Sequence, residues 1–262
     1  MGKDQRVLFH STIFGPIHSR RLGTSLGVNL SPTDGKVCSF DCLYCEAGYN
    51  AQGPGTSGLP RRSDVALMLR DRLAEMKSKG ERLDVITFSG NGEPTVHPDF
   101  PGILHDVAAL RSEYFPEAKV SVLCNSTRLG DEAVCEALMK ADNNILKLDS
   151  AVEATMRLID RPGDRNFTVE RVTAQLCRFA GQAIIQTMML RGEHEGQPVD
   201  NTTAEEVDAL IEAYRRIRPR EIMLYSIDRA TPEEKLVKVP ADELREIGAR
   251  MELATGIHVQ VN

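Results

Sequence analysis

Three closely spaced cysteines are the residues of this chain with the clearest capacity for chemistry. Cys38, Cys42 and Cys45 follow the pattern C-x3-C-x2-C within one short stretch, so their thiolates can turn toward one object. Zinc normally takes four ligands in a closed site, and no fourth Cys or His lies at a usual spacing. A four-iron cluster held by three thiolates would leave one iron open to a small molecule. The spacing therefore favours an iron–sulfur cluster, with a partial zinc site or a chance grouping as the alternatives.

An aromatic residue, Tyr44, directly precedes the last of these cysteines. The resulting pattern resembles the signature of the radical SAM superfamily, where SAM is S-adenosylmethionine. The resemblance implies a [4Fe–4S] cluster on Cys38, Cys42 and Cys45, with SAM chelating the open iron and Tyr44 beside the cofactor. It further implies an enzyme in which the reduced cluster gives one electron to SAM, the sulfonium–C5′ bond breaks, and a 5′-deoxyadenosyl radical abstracts hydrogen from a substrate.

Length and composition set limits on the rest of the chain. With 262 residues and 41% hydrophobic composition, the chain can bury one large core, and we expect a single domain over 1–262 with an N-terminal arm over 1–25. The net charge of −6 provides no global basic field for nucleic acid. The polar N-terminus carries no apolar signal region, and no run is long enough to cross a bilayer. We therefore expect a cytoplasmic protein in which six cysteines serve metal or redox chemistry rather than disulfides.

Hydrophobic patterning alternates between strands and helices along the chain. Strands are predicted at 26–30, 84–88, 119–123, 145–148, 183–189 and 221–225, with a short last strand at 258–261. Helices are predicted from about 63, then at 100–110, 131–140, 169–180, 203–214 and 241–253, and the segment 47–60 is rich in glycine and proline. This alternation predicts an α/β fold with a curved parallel sheet and helices outside. Six units are too few for a closed eight-fold barrel, so we expect a partial (β/α)6 barrel, which is also the fold that the resemblance implies.

The loop after the second predicted strand contains Gly90, Asn91, Gly92 and Glu93. Its glycines let the backbone approach a ligand closely, and Glu93 offers a carboxylate to an ammonium group. The loop resembles the Gly-Gly-Glu motif that holds the SAM amino group in the superfamily, with Asn91 in place of the first glycine. The resemblance implies that these residues bind the cofactor. The alternative is a tight turn with a solvated glutamate.

Later strands also end in polar residues, and the carboxyl ends of such strands are where chemistry gathers in these folds. By position, Asn125 and Asp149 resemble the superfamily's polar contacts to the SAM ribose and methionine, although Asn125 could instead be a helix-cap or turn residue. Gln186 indicates either a contact inside the barrel or a satisfied core hydrogen bond. Tyr225 ends the sixth strand, where the superfamily packs adenine. Cys124 is interpreted as a buried strand cysteine, with a catalytic thiol hydrogen donor as the alternative.

The segment 14–27 is rich in Gly, Arg and His, and together with 87–95 and 97–100 it resembles the wyosine-synthase-related Fe–S oxidoreductases. Wyosine synthases modify a tRNA guanosine and use a second cluster, whose cysteines lie upstream of the first. This chain has no cysteine before Cys38, which argues against the wyosine reaction. We therefore expect a single-cluster enzyme whose substrate is a small molecule, a peptide or a protein rather than RNA. The resemblance also implies a flavodoxin- or ferredoxin-like electron donor.

Two other functions stay open from the sequence. One is a tRNA-modifying wyosine-type enzyme, and the other is a non-enzymatic iron–sulfur module for electron transfer. Four arginines, Arg20, Arg21, Arg157 and Arg161, could bind phosphate or carboxylate, or could form structural ion pairs. The substrate, its product and the oligomeric state do not follow from the residues.

Overall fold

A mostly parallel sheet organises the protein, which a computed structural model describes for residues 6–19 and 23–262. The strands are β1 (Ile13–Ser19), β2 (Gly23–Val28), β3 (Val85–Phe88), β4 (Lys119–Cys124), β5 (Asn143–Lys147), β6 (Ile184–His194), β7 (Gln197–Asp200), β8 (Glu221–Ser226), β9 (Val237–Lys238) and β10 (Val259–Val261). The helices are α1 (Arg62–Ser78), α2 (Phe100–Tyr114), α3 (Glu132–Met139), α4 (Glu153–Asp160), α5 (Val169–Leu176), α6 (Ala204–Ile217) and α7 (Ala241–Thr255).

The strands follow the order β1-β2-β3-β4-β5-β6-β8-β10 across the sheet. All neighbours from β2 to β10 are parallel, and their register aligns Val28 with Phe88, Phe88 with Val122, and Cys124 with Leu146. The carboxyl ends of the strands therefore meet along one edge. Because the sheet is curved and not closed, the predicted partial barrel is confirmed, and β10 forms where a short last strand was predicted.

The helices cover the outer face of the sheet with the residues that the hydrophobic pattern selects. Helix α1 buries Val65, Leu69, Leu73 and Met76, each at 0% exposure, at the spacing that puts them on one helical face. Burying a side chain of this size stabilises the fold by about 1.5–3 kcal/mol. These helices and the sheet enclose one main apolar core.

The N-terminal arm contains a strand that the hydrophobic pattern does not predict. Strand β1 pairs antiparallel with β2 and extends the sheet by one strand. The ring of Phe14 lies on Gly27, where an added Cβ would stand 2.1 Å from the ring. Only glycine permits this approach, and Phe14 in turn stacks on Phe9 at a centroid distance of 3.9 Å. The arm is thereby packed over the inner face of the sheet.

Strand β6 and helix α6 also depart in detail from the prediction, and helix α4 was not predicted. Strand β6 continues to His194 and pairs antiparallel with β7 and β9, where a strand ending at 189 was predicted. Helix α6 begins with Thr203-x-x-Glu206, the pattern of a capping box, and the box is half formed. Thr203 accepts a hydrogen bond from the Glu206 backbone N–H at 3.3 Å, but the Glu206 carboxylate accepts from Ser150 Oγ at 2.6 Å. The glutamate therefore ties α6 to the loop after β5 instead of to its own N-terminus. Among the helices of the described residues, none is long and apolar enough to cross a membrane.

Candidate functional site

The three cysteines lie in the loop between β2 and α1, at the carboxyl edge of the sheet. Cys42 is buried, whereas Cys38 and Cys45 are partly exposed. The loop is anchored to the end of α4, because Leu43 N–H donates to the Ile159 carbonyl at 2.9 Å and Asp41 N–H donates to the Asp160 carbonyl at 3.1 Å. These bonds use carbonyl groups that a helix C-terminus leaves free. Backbone contacts with a neighbouring element thus fix the loop that carries the thiols.

A buried lysine, Lys36, lies beside the cysteine loop with its side chain only 1% exposed. Its Nζ donates to the Gly48 carbonyl at 2.7 Å and has one carboxylate nearby, Asp41 Oδ1 at 3.5 Å. Burial lowers the pKa of Lys36, but the sulfurs of Cys45, Cys38 and Cys42 together with Asp41 raise it, and the result lies above the ordinary 10.5. A buried ammonium with one distant carboxylate is costly unless further negative charge is close. Three thiolates holding a cluster would supply that charge, so these residues fit the implied [4Fe–4S] group.

The thiols of Cys38 and Cys42 are protonated at neutral pH as long as they hold no metal. Burial, assisted by Glu93, raises the pKa of Cys38 to about 12, and burial raises the pKa of Cys42 well above 9.0. Cluster binding therefore displaces protons from the sulfurs. Within 6–19 and 23–262, no three His, Cys, Asp or Glu side chains are arranged to hold one metal ion. A four-iron cluster places each thiolate on a different iron, so its ligands do not converge on a single point.

The loop after β3 packs directly against the cysteine loop. Val37 N–H donates to the Asn91 carbonyl at 3.1 Å, and Glu93 N–H donates to the Val37 carbonyl at 3.0 Å. Gly92 lies at this junction, where an added Cβ would stand 1.9 Å from the Val37 carbonyl oxygen. Glycine is therefore required for the two loops to join. A ligand held at the cysteines can contact this loop as well.

Glu93 is buried, at 4% exposure, and its carboxylate accepts three hydrogen bonds from the protein. Oε1 accepts from the Thr95 N–H at 3.0 Å and the Thr95 hydroxyl at 2.6 Å, and Oε2 accepts from the Asn125 N–H at 2.7 Å. Burial raises the pKa of Glu93 above 4.5, and the bonds from Thr95 and Asn125 oppose that rise. A solvated turn glutamate, the alternative reading of this loop, does not describe Glu93. Its buried negative charge favours a nearby cation.

The side chain of Asn91 is used to hold the N-terminal arm. Its Oδ1 accepts from the Phe9 N–H at 2.7 Å, and its Nδ2 donates to the carbonyls of Phe9 and Pro32, each at 2.9 Å. The side chain is 0% exposed. We predicted Asn91 as a cofactor-binding residue; the structure leaves only its backbone for that role, since the amide is occupied. The same contacts give a physical reason for an asparagine at this position of the motif.

Asn125, at the end of β4, links that strand to the cysteine loop. Its Nδ2 donates to Ser39 Oγ at 2.9 Å and lies 3.6 Å from Cys38 Sγ. Asn125 does not cap α3, whose first N–H groups donate to Asp131. Its Oδ1 does accept from the Thr127 N–H at 3.1 Å and from the Thr127 hydroxyl at 2.8 Å, so the alternative of a turn residue describes part of its role. Cys124 is buried, with its Sγ accepting from the Ser126 N–H at 3.3 Å and its pKa raised well above 9.0 by burial. This environment matches the structural interpretation of Cys124.

Asp149 is part of a buried ionic group rather than an open ligand. Its Oδ1 accepts from the Met188 N–H at 2.9 Å, and its Oδ2 accepts from Lys147 Nζ at 2.9 Å and from the Tyr44 hydroxyl. The carboxylate is 0% exposed. The Asp149 carboxylate, predicted to bind the cofactor, is thus already bonded within the protein, and Tyr44, predicted to lie beside the cofactor, uses its hydroxyl in the same group. Lys147 and Asp160, which complete the group, carry no spacing signal and were assigned no role from the sequence.

A cavity of about 510 Å3 opens on the inner face of the sheet. Apolar residues of four strands form one wall: Leu123, Ile145, Met188 and Met223. The arm covers the opposite side with the stacked pair of Phe9 and Phe14. Among the predicted cofactor residues, Gly90, Gly92 and Tyr225 line this cavity, and Gln186 is not among its lining residues. The cavity therefore joins the loop after β3 to the position expected for adenine.

Ion pairs surround the rim of this cavity. Arg229 donates to Glu46 at 2.6 Å, and Lys238 donates to Asp228 at 3.0 Å. All four residues line the opening, so opposite charges stand beside one another there. Among the residues that the structure describes, the rim presents no concentration of positive charge for a polyanion.

The four arginines of undecided role are now partly assigned. Arg157 donates to the carbonyls of Arg165 and Phe167 at 3.1 and 2.8 Å, which makes it a support of the chain after α4. Arg161 lies 3.7 Å from Asp41 Oδ2 and 5.1 Å from the centre of the Tyr49 ring. Both arginines thus make contacts within the chain. Arg20 and Arg21 lie outside the described residues.

Comparison with known proteins identifies the class to which this fold and site belong. Residues 33–201, which include the cysteine loop and strands β3 to β7, match the model of the Radical SAM superfamily. The match covers more than half of the chain. The chain therefore belongs to the radical SAM superfamily, as the cysteine motif predicts.

Curated relatives extend this assignment along the chain. The chain is 30% identical to UPF0026 protein slr1464 of Synechocystis, over 85% of this chain and 78% of that protein, which places both in one family. It is 28% identical to UPF0026 protein MJ1312 of Methanocaldococcus jannaschii, over 88% of this chain and 68% of that protein. A protein named GTPase Obg from Brachyspira hyodysenteriae is 27% identical over 99% of this chain, which spans 36% of that protein.

Solved structures with this fold include several radical SAM enzymes. A radical SAM methyltransferase from Sphaerobacter thermophilus matches with a TM-score of 0.64 at 13% identity, over 91% of this chain and 65% of that one. Streptococcus suis SuiB bound to S-adenosylmethionine gives 0.63 at 14% identity, over 90% and 50%. TYW1 with a lysine–pyruvate adduct bound gives 0.58 at 13% identity, over 89% and 75%. At these identities the likeness shows the fold.

Proposed function

We propose that this protein reductively cleaves SAM at a [4Fe–4S] cluster held by Cys38, Cys42 and Cys45, and that the radical formed abstracts hydrogen from a substrate in the adjoining cavity. One observation carries the proposal: the cysteine loop and the loop containing Glu93 are joined by backbone hydrogen bonds through Val37. A single ligand can therefore contact both the cluster and the buried carboxylate. Superfamily membership supports the same reaction.

The residues of the chain have separable tasks in this reaction. When bound, the cluster supplies the electron that breaks the SAM sulfonium–C5′ bond. Glu93 accepts the SAM ammonium, because its buried negative charge gains a cation partner. Asn125 positions Ser39 beside Cys38 through its bond to the Ser39 hydroxyl. Tyr225 provides a surface for the adenine within the cavity.

We propose a small molecule, a peptide or a protein as the substrate, rather than RNA. The paired charges at the cavity rim and the net charge of −6 support this choice. The apolar wall of the cavity favours a substrate with an uncharged portion to bury. A flavodoxin- or ferredoxin-like protein would deliver the electron in the cytoplasm. A module for electron transfer alone would have no use for the cavity beside the loop, so the enzyme is the better account.

The proposal is tested by anaerobic reconstitution of the protein with iron and sulfide, followed by SAM and dithionite. We expect 5′-deoxyadenosine to form, and deuterium from a labelled cell extract to enter it. Replacing Cys38, Cys42 or Cys45 by Ala should abolish product, whereas Cys135→Ala and Cys177→Ala should retain it. A protein that binds four irons without cleaving SAM would contradict the enzymatic proposal and favour the electron-transfer module.

A further inference from the structure

A buried group of four polar side chains lies directly behind the last two cysteines of the motif. Lys147 Nζ donates to Asp149 Oδ2 at 2.9 Å and to the Tyr44 hydroxyl, and it lies 3.9 Å from Asp160 Oδ1. Tyr44 also donates to Asp149. The Lys147 side chain is 15% exposed, and those of Asp149 and Asp160 are 0% and 3% exposed. Such a group is costly to bury unless its members satisfy one another.

This group contacts the segment from Cys42 to Cys45 from the end of β5 and from the end of α4. The Tyr44 hydroxyl binds both Lys147 and Asp149, which lie at the end of β5. From α4, the Asp160 carboxylate lies 3.6 Å from Cys42 Sγ, and the helix carbonyls hold the backbone of the same segment. The segment that carries two of the three thiols is therefore held both by side-chain hydrogen bonds of Tyr44 and by backbone hydrogen bonds to α4.

The lysine charge is directed toward the same segment. Lys147 Nζ lies 4.7 Å from the centre of the Tyr44 ring. Among residues 6–19 and 23–262, Lys147 is the lysine that hydrogen-bonds with Tyr44, the residue directly before the last cysteine of the motif. A fixed positive charge in a low-dielectric interior stabilises added negative charge nearby. Reduction of a cluster at the thiols adds such a charge.

We infer that Tyr44 is a positioning residue for the cluster, and that Lys147, which it binds, supplies a fixed positive charge that favours the reduced cluster. The inference rests on the proposed function, since it assumes a cluster on Cys38, Cys42 and Cys45. It gives the aromatic residue of the motif a task that depends on its hydroxyl group. It also gives Asp149 the task of holding Lys147 in place.

A second buried tyrosine provides a matched control. The Tyr214 hydroxyl hydrogen-bonds with Thr187 Oγ1 at 2.6 Å, and the residue is 0% exposed. Tyr214 lies in α6, and its bond reaches β6 without touching the cysteine loop. Tyr44→Phe and Tyr214→Phe therefore each remove one buried hydroxyl, and only the first removes a contact of the motif.

The first experiment measures iron loss to a chelator from both reconstituted variants, with thermal unfolding of the metal-free forms as reference. Tyr44→Phe loses the hydrogen bonds to both Lys147 and Asp149. We expect it to lose iron at least about tenfold faster than wild type, since a factor of about ten is the size expected for one such bond to a charged group. Tyr214→Phe should lose iron at the wild-type rate even if its melting temperature falls as much as that of Tyr44→Phe. Equal iron loss in the two variants would overturn the positioning role.

The second experiment measures the midpoint potential of the cluster by redox titration followed by EPR. We expect Lys147→Met to shift the potential to a lower value, because removal of the cation disfavours reduction. An unchanged potential would overturn the role of the charge. If Lys147→Met does not fold, the Tyr44→Phe comparison still decides the inference. A wild-type protein that takes up no cluster would instead overturn the proposed function from which the inference starts.

Discussion

At the scale of single residues, Lys36 shows how a side chain depends on the group it faces. Its ammonium is buried and has Asp41 Oδ1 at 3.5 Å as its carboxylate partner. Negative charge on the three sulfurs raises its pKa against the opposing effect of burial. In the metal-free protein the thiols of Cys38 and Cys42 are protonated at pH 7, because burial raises their pKa values. The raised pKa of Lys36 means that folding favours its ammonium, and thiolates that hold a cluster would favour it further.

Replacing this lysine should accordingly remove a favourable charge from both forms. We predict that Lys36→Met lowers the stability of the metal-free protein at pH 7, because a lysine with a raised folded-state pKa stabilises the fold below that pKa. Iron should also be lost faster from the same variant. Thermal unfolding without iron and chelation kinetics with iron measure the two effects. Lys36→Arg, which keeps the charge, is the control, and iron retention equal to wild type in Lys36→Met would contradict the prediction.

Glu93 makes a prediction about pH. Its pKa is raised above 4.5, so its protonated form is favoured by folding. The corresponding stability of the SAM-free protein is present below pH 4.5 and is lost as pH rises through the higher folded-state pKa. SAM binding has the opposite dependence, because the ammonium needs the carboxylate. We predict that SAM affinity falls as pH drops through that raised pKa, measured by calorimetry on the reconstituted protein.

The variant Glu93→Gln should weaken SAM binding by about 1.5–3 kcal/mol and remove this pH dependence. It keeps an oxygen for Thr95 but turns a donor toward the Asn125 N–H, so some loss of stability is expected as well. Thr95→Val is a control, since it removes a hydroxyl bonded to the same carboxylate while the charge stays. Unchanged SAM affinity in Glu93→Gln would place the ammonium elsewhere.

At the scale of elements, Asn91 couples the N-terminal arm to the site. Three hydrogen bonds join its side chain to Phe9 and Pro32. We predict that Asn91→Gly, which restores the usual glycine of the motif, frees the chain before β1 and makes it accessible to limited proteolysis. The loss of buried hydrogen bonds should cost about 1–3 kcal/mol of stability. Asn50→Gly, in the cysteine loop but not bonded to the arm, serves as control, and protection equal to wild type would contradict the prediction.

The sequence predicted the elements whose patterns are regular and missed those that depend on distant contacts. The parallel strands and the buried face of α1 follow from local periodicity. Strand β1 depends on Phe14 resting on Gly27, a contact between separate segments that no periodicity shows. The motif residues of the site were found from spacing, whereas Lys147 becomes a hydrogen-bond partner of Tyr44, and Asp160 a neighbour of Lys147, only after folding. Asn91 and Asp149 were predicted to bind the cofactor, because the sequence does not show the hydrogen bonds that their side chains make within the folded protein.

At the scale of the whole molecule, charge decides between classes of substrate. The net charge is −6, and the cations at the cavity rim, Arg229 and Lys238, each have a carboxylate partner. An RNA ligand would have to displace Glu46 and Asp228 to reach them. Arg20 and Arg21, which lie outside the described residues, are further candidate contacts for RNA phosphates, and substituting them tests that role directly.

We predict that the reconstituted protein does not bind tRNA tightly at physiological salt. Binding to phosphates releases counterions, so any complex that forms at low salt should weaken steeply as salt is added. If Arg20 and Arg21 contact phosphates, Arg20→Ala with Arg21→Ala should flatten the dependence of log affinity on log salt by about one unit per lost contact. Arg215→Ala with Arg216→Ala, on helix α6 away from the cavity lining, is the charge-matched control. The measurement is tRNA binding across a salt series. A salt-sensitive complex of submicromolar affinity that is lost only in the Arg20 and Arg21 variant would contradict the prediction and favour the wyosine-type reaction.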